Sequence, residues 1–149
     1  MTNHRDEVLF DPYASEFDKK IMLDGWFVPH LADVNQRNPF VAKYFIQNTI
    51  WTTEEFGIDG WRVDTYKYCD EAFMNRLNAA IEKEYPQYTV FGEAYVNSIV
   101  GNAYFTRNNI SSGFHHNAQG VLDFQACFSM VAAMNEAPSW TGGVNKLYM

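Results

Sequence analysis

The chain has 149 residues, of which 47% are hydrophobic and 17% aromatic, and its formal net charge is −7. It is long enough for one domain with a sizeable core, and too apolar to be a disordered segment. The acidic balance, with basic runs no longer than pairs such as Lys19-Lys20, argues against nucleic acid as a partner, since duplex binding needs a basic face opposite the phosphates.

Twelve Phe, nine Tyr and four Trp can fill a core or offer flat apolar faces to a ligand such as a sugar. No apolar run approaches the ~20 residues of a membrane helix. The first residues have no apolar h-region, which says nothing about a longer parent. Cys69 and Cys127 lack C-x-x-C spacing, so two buried free thiols are expected rather than a zinc site.

Residues 1–37 show no clear period. Phe10, Tyr13, Phe17, Trp26 and Phe27 are scattered among turn formers, so the segment reads as irregular loop with a turn at Asp24-Gly25. Asn38-Pro39 then predicts a helix start, with Asn at the N-cap and Pro in the first turn, and Gly57 predicts its end. Ile58 to Asp64 reads as a short strand. Asp70 is the next N-cap candidate, and Phe73, Met74, Leu77, Ile81 and Tyr85 follow at helical spacing until Pro86. Tyr88 to Phe91 reads as a strand ending at Gly92-Glu93. A loop is expected from about Val96 to Gly120, carrying an exposed His115-His116 pair. A third strand is expected over Val121 to Gln125, then a helix over Ala126 to Asn135. Strands alternating with helices in this way predict an α/β fold with a parallel sheet.

Asp64 ends the first expected strand and Glu93 the second. Parallel α/β sheets place active sites at the carboxyl ends of their strands, and two carboxyls from neighbouring strands are the equipment of glycoside hydrolysis. The plainer alternative is that both are caps or solvated loop groups. Alternation along Gly60-Trp61-Arg62-Val63-Asp64 puts Arg62 on the face of Asp64. A fixed cation there favours the ionised form that a nucleophile needs. A general acid must instead keep its proton, which burial and the charge of Asp64 both favour for Glu93. The alternative for Arg62 is a structural ion pair.

The stretch Gly60-Trp61-Arg62-Val63-Asp64-Thr65-Tyr66-Lys67-Tyr68 resembles the G-x-R-x-D-x-x-K-H region of the α-amylase superfamily, glycoside hydrolase family 13. Val90-Phe91-Gly92-Glu93-Ala94 resembles the family's general-acid strand, and Leu31-Ala32-Asp33-Val34-Asn35 its L-P-D-L-N segment. The phrases around Gly25-Trp26-Phe27-Val28-Pro29, Asn35-Gln36-Arg37-Asn38-Pro39 and Gly143-Val144-Asn145-Lys146-Leu147 are similar to the neopullulanase and cyclomaltodextrinase branch. The resemblance implies that Asp64 forms a glycosyl-enzyme, that Glu93 protonates the leaving oxygen and that Arg62 orients Asp64. It also implies that Lys67 and Tyr68 line the acceptor side. Tyr68 stands where many members have His, which puts the contacts of that His in doubt. The alternatives are a solvated cation for Lys67 and a packed aromatic for Tyr68. Asp33 and Asn35 read as turn and capping residues.

The implied architecture is a partial (β/α)8 TIM barrel, about three βα units corresponding to strands 4–6. Residues 1–37 would be the end of a barrel-inserted loop subdomain and 38–149 the partial barrel. The family's D-x-x-x-N-H segment and its third carboxylate segment, F-x-x-N-H-D, are missing, so the chain is expected to be a fragment, inactive alone. The expected parent is a retaining hydrolase of maltodextrins, cyclodextrins or related glucans; a transglucosidase and a non-catalytic carbohydrate-binding relic are the alternatives. The chemistry requires no cofactor, metal ligands are unknown, and a structural calcium in the parent is compatible with the resemblance. Expected partners are an α-glucan and either the missing strands or another copy, with Val63 and its strand neighbours exposing apolar surface. Localisation is open, with the periplasm or the exterior expected for the parent.

Overall fold

A computed structural model describes residues 2–110 and 112–148. Among the described residues, three parallel strands form one sheet: β1 (Gly60–Val63), β2 (Thr89–Gly92) and β3 (Gly120–Val121), in the order β1-β2-β3. Gly60 pairs with Thr89 and Val63 with Gly92, while Phe91 and Gly92 pair with Gly120 and Val121. The α/β class and the parallel sheet are as the sequence predicts.

The helix signals explain the frame. Helix α1 spans Glu16–Asp24 and α2 spans Pro39–Phe56. The Asn38 side chain accepts a hydrogen bond from the Phe40 N–H at the start of α2, and Gly57 closes it at φ 60°, a left-handed conformation that suits glycine. Helix α3 spans Glu71–Glu84; Asp70 caps it by accepting from Phe73 N–H, and Phe73, Met74, Leu77 and Ile81 are buried on one side. These join Tyr66, Val90, Ala94 and Val96 in the core between sheet and helices. Trp61 Nε1 donates to Thr53 Oγ1 at 2.8 Å, tying β1 to α2.

Several expectations are corrected. Residues 1–37 are not all irregular: α1 lies within them, started by Ser15 accepting from Asp18 N–H. Its signal is the cap, because nine residues burying only Ile21 and Met22 give too narrow an apolar stripe to read. The loop from 96 to 120 contains α4 (Ile99–Tyr104), capped by Ser98, which is likewise too short to be periodic. The third strand is only Gly120–Val121, because Asp123 accepts from Ala126 N–H and starts α5 (Phe124–Asn135) where more strand was expected. Cys127 is exposed instead of buried; both thiols are free. His116 is buried, with Nε2 3.1 Å from Glu71 Oε1, so only His115 of that pair is exposed. Val63 packs partly buried against the core, and the exposed apolar surface lies elsewhere, at Phe40 and Tyr44 on α2 and Met130, Val131 and Met134 on α5.

The glycine before Glu93 has a packing reason. A Cβ at Gly92 would stand 2.5 Å from Cγ of Tyr66, whose ring is 1% exposed and whose hydroxyl accepts from Asn78 Nδ2 at 3.0 Å. The ring has nowhere to retreat. Gly92→Ala is therefore expected to lower stability by about 1–3 kcal/mol, the range for overpacking a filled core. Urea unfolding followed by circular dichroism checks this; an unchanged midpoint would show that Tyr66 can move.

Candidate active site

The sheet register sets the site. The Glu93 N–H donates to the Val63 carbonyl at 2.8 Å, one step beyond the Val63–Gly92 pair. Asp64 and Glu93 therefore leave adjacent parallel strands at the same, carboxyl end. Arg62 joins them: NH1 lies 3.2 Å from Asp64 Oδ1 and NH2 3.2 Å from Glu93 Oε1. One guanidinium thus holds both carboxyls, whereas the sequence pointed only to its pairing with Asp64.

Thr65 holds Glu93 from the other side. Its N–H donates to Glu93 Oε2 at 3.0 Å, and its backbone sits at φ 49°. A left-handed conformation is uncommon for a β-branched residue. Here it turns the chain from β1 into the 3-10 turn Tyr66–Tyr68 with the amide facing Glu93. No motif in the sequence marks that role.

The two carboxyls have different surroundings. The Asp64 side chain is 72% exposed and that of Glu93 25%. Asp64 is held below the ordinary aspartate value of 3.8. The first cause is a hydrogen bond from the Glu93 carboxyl; partial burial opposes it, and the Arg62 charge and the Thr65 N–H add to it. Because Asp64 binds protons less well folded than unfolded, its contribution to stability is fully present above 3.8 and lost as pH falls through the depressed folded value. Glu93→Ala removes the first cause. The Asp64 carboxyl carbon, followed by NMR across the acid range, is then expected to titrate closer to 3.8; a midpoint that stays put would assign the depression to Arg62 alone.

A cleft of about 340 Å³ opens on this pair, lined by Phe27, Leu31, Asp33, Asp64, Tyr68 and Glu93 among others. Asp33 accepts from Gln36 Nε2 at 2.9 Å, and its burial raises its proton affinity. Asn35 accepts from the Arg37 N–H in a local turn. Lys67 is 2% exposed, its Nζ 2.7 Å from Asp6 Oδ1, so it is not the solvated cation of the plainer reading. Tyr68 is half-buried at the wall of the cleft. Burial pushes the Cys69 thiol up to about 12, which leaves no thiolate nucleophile beside Asp64 near neutral pH. Among the described residues, no group of three His, Cys, Asp or Glu is arranged to hold a metal ion. Among the described residues, no helix is long and apolar enough to cross a membrane. The sequence pointed to neither Asp6 nor Phe27 as part of the site, because the N-terminal segment carries no chemical motif and meets the cleft only through folding.

No protein-family model matches the chain. Over 69 residues, 46% of the chain, it is 32% identical to the intracellular maltogenic amylase of Bacillus subtilis (strain 168). Over 69 residues it is 30% identical to a cyclomaltodextrinase of Geobacillus thermopakistaniensis (strain MAS1). Each match spans only 12% of the relative's length. An α-amylase of Anoxybacillus superposes with a TM-score of 0.72 at 21% identity, over 97% of this chain and 28% of that one. An α-amylase of Malbranchea cinnamomea gives 0.64 at 19% identity, over 97% of this chain and 30% of that one. The chain resembles the α-amylase superfamily in sequence, with glycoside hydrolases as its relatives, and its fold is that of part of an α-amylase barrel.

Proposed function

We propose that this chain supplies the nucleophile and the general acid/base of a retaining glycoside hydrolase acting on α-glucans, its three strands standing as the fourth to sixth of the parent barrel. The observation that carries the reading is the pair of carboxyls on adjacent strand ends, bridged by Arg62 and differing in exposure. Asp64, ionised and accessible, attacks the anomeric carbon as the bond to the leaving oxygen breaks. Glu93, the less exposed, gives its proton to that oxygen. In the second half-reaction Glu93 takes a proton from water, the water oxygen bonds to the anomeric carbon, and the ester to Asp64 breaks. A retaining pair stands about 5–5.5 Å apart, room for a sugar atom but not for an inserted water. The names of the sequence relatives, maltogenic amylase and cyclomaltodextrinase, favour a maltodextrin or cyclodextrin substrate.

A carbohydrate-binding relic has no use for two carboxyls at adjacent strand ends bridged by one guanidinium, so the retained set favours the enzyme. The test is covalent. A full-length enzyme carrying this segment, treated with a 5-fluoro-α-glucosyl fluoride, should gain one glucosyl residue on the peptide containing Asp64. Label on another carboxylate would overturn the assignment.

A further inference from the structure

The amide that holds Glu93 sits in a backbone conformation that needs support. Thr65 is at φ 49°, and its N–H reaches Glu93 Oε2 at 3.0 Å. The next residue touches both ends of that bond. Tyr66 follows the donor directly in the chain, and its ring packs on Gly92, the residue before the acceptor. A Cβ at Gly92 would lie 2.5 Å from Tyr66 Cγ, 2.6 Å from Cδ2 and 2.8 Å from Cβ. The ring is a spacer that sets how far the turn after β1 stands from the end of β2.

The spacer has a fixed far end. The Tyr66 hydroxyl accepts from Asn78 Nδ2 at 3.0 Å, and Asn78 is buried on α3. The same Nδ2 donates to Asn117 Oδ1 at 3.1 Å. Asn117 is gripped by Asn75, one turn earlier on α3, through its backbone N–H at 2.9 Å and its side-chain Nδ2 at 2.8 Å. The Asn78 amide cannot turn away without breaking both of its bonds. At the near end, the Tyr68 N–H donates to the Thr65 carbonyl at 3.0 Å and the Cys69 N–H to the Tyr66 carbonyl at 3.2 Å, which closes the turn. Helix α3 thus fixes Tyr66, and Tyr66 fixes the Thr65 amide. Burial pushes the Tyr66 hydroxyl up to about 12, so near neutral pH it stays a neutral phenol. Tyr66 is 1% exposed, too deep for a sugar to reach.

We infer that Tyr66, anchored by Asn78, is a positioning residue for the general acid: it holds the Thr65 amide against Glu93 Oε2 and so fixes the direction in which Glu93 presents its proton. The inference rests on the proposed function. An acid must meet the leaving oxygen within hydrogen-bond reach as the glycosidic bond breaks. Arg62 alone does not fix that direction. Its contact at Oε1 leaves the carboxyl free to swing about that oxygen, and the Thr65 amide at Oε2 removes the freedom. A leaving group that needs a proton depends on this aim, and one that departs as a stable anion does not. A residue that merely filled the core would affect both alike.

Leaving-group dependence separates the two roles. In a full-length enzyme carrying this segment, kcat/KM reports the first, bond-breaking half-reaction. Maltotriose needs a proton on its leaving oxygen, whereas α-maltosyl fluoride releases fluoride with little need of one. Tyr66→Phe keeps the ring and loses the Asn78 bond; it is expected to lower kcat/KM for maltotriose about fivefold. Asn78→Ala breaks the same bond from α3 and should match it. Tyr66→Leu, which removes the ring, should cost about thirtyfold, and all three should change the value for the fluoride less than about twofold. On the 149-residue chain at low protein concentration, hydrogen exchange read by mass spectrometry with electron-transfer fragmentation should show the Thr65 amide exchanging about fivefold faster in Tyr66→Phe, with α3 still protected. Equal losses on the two substrates, no loss on either, or an unchanged Thr65 amide would overturn the inference and leave the hydrolase reading standing. Glu93→Gln is the control and should lose far more on maltotriose than on the fluoride. Equal losses in that variant would overturn the proposed function and the inference with it.

Discussion

In an enzyme that holds this segment within a closed barrel, Asp64→Asn is expected to lower kcat by on the order of 10⁴-fold or more while leaving glucan affinity within a few-fold. The argument is chemical and geometric. Asparagine is nearly isosteric, so Arg62 and the cleft walls stay in place and the bound sugar keeps its contacts. What is lost is the negative oxygen that, in the proposed mechanism, bonds to the anomeric carbon. Asp64 suits that role because its side chain is 72% exposed, while Arg62 and the Glu93 hydrogen bond hold it ionised. Steady-state kinetics beside a direct binding measurement separate the two effects. A variant losing affinity and turnover together would make Asp64 a binding residue, and one retaining turnover would remove it from the mechanism.

The 149-residue chain by itself is expected to give no hydrolysis of maltodextrin above background and to associate in solution. Among the described residues the sheet has three strands, with one edge of β1 and one edge of β3 unpaired. An eight-stranded barrel closes its sheet; three strands do not, and each free edge is a template for pairing with another chain. The apolar surface on α2 and α5, including Phe40 at 82% and Met134 at 87% exposure, adds to that tendency. The chain also lacks the third carboxylate segment of the family it resembles, and stabilisation of developing charge is often the largest catalytic contribution. Near-UV circular dichroism, size-exclusion chromatography and a maltodextrin assay on the same sample decide the point. A folded monomer whose turnover is abolished by Glu93→Gln would mean that these strands make a complete site.

The sequence by itself determined the frame of this protein. Asn38-Pro39, Gly57 and Asp70 mark helix ends because capping groups act within one turn of chain, where residue order is enough. Phe73, Met74, Leu77 and Ile81 mark a buried helix face because burial follows the helical period. Arg62, Asp64 and Glu93 were legible as a set because strand alternation and strand ends are local properties, and because their flanking residues carry a family resemblance.

Tertiary structure decided what depends on contacts between distant segments. Only the register of β1 against β2 makes Arg62 span both carboxyls, 31 residues apart in Glu93's case, and makes the Glu93 hydrogen bond the first cause of the depressed Asp64 titration. Thr65 aims its amide at Glu93 through a left-handed backbone that its side chain does not announce. Lys67 reads in sequence as a candidate sugar contact, yet Asp6, 61 residues away, buries it in an ion pair. His116 reads as half of an exposed loop pair, yet the packing of Glu71, Tyr104 and Phe105 encloses it. None of these pairings leaves a periodic or local trace, because each is set by which surfaces the folded chain brings together.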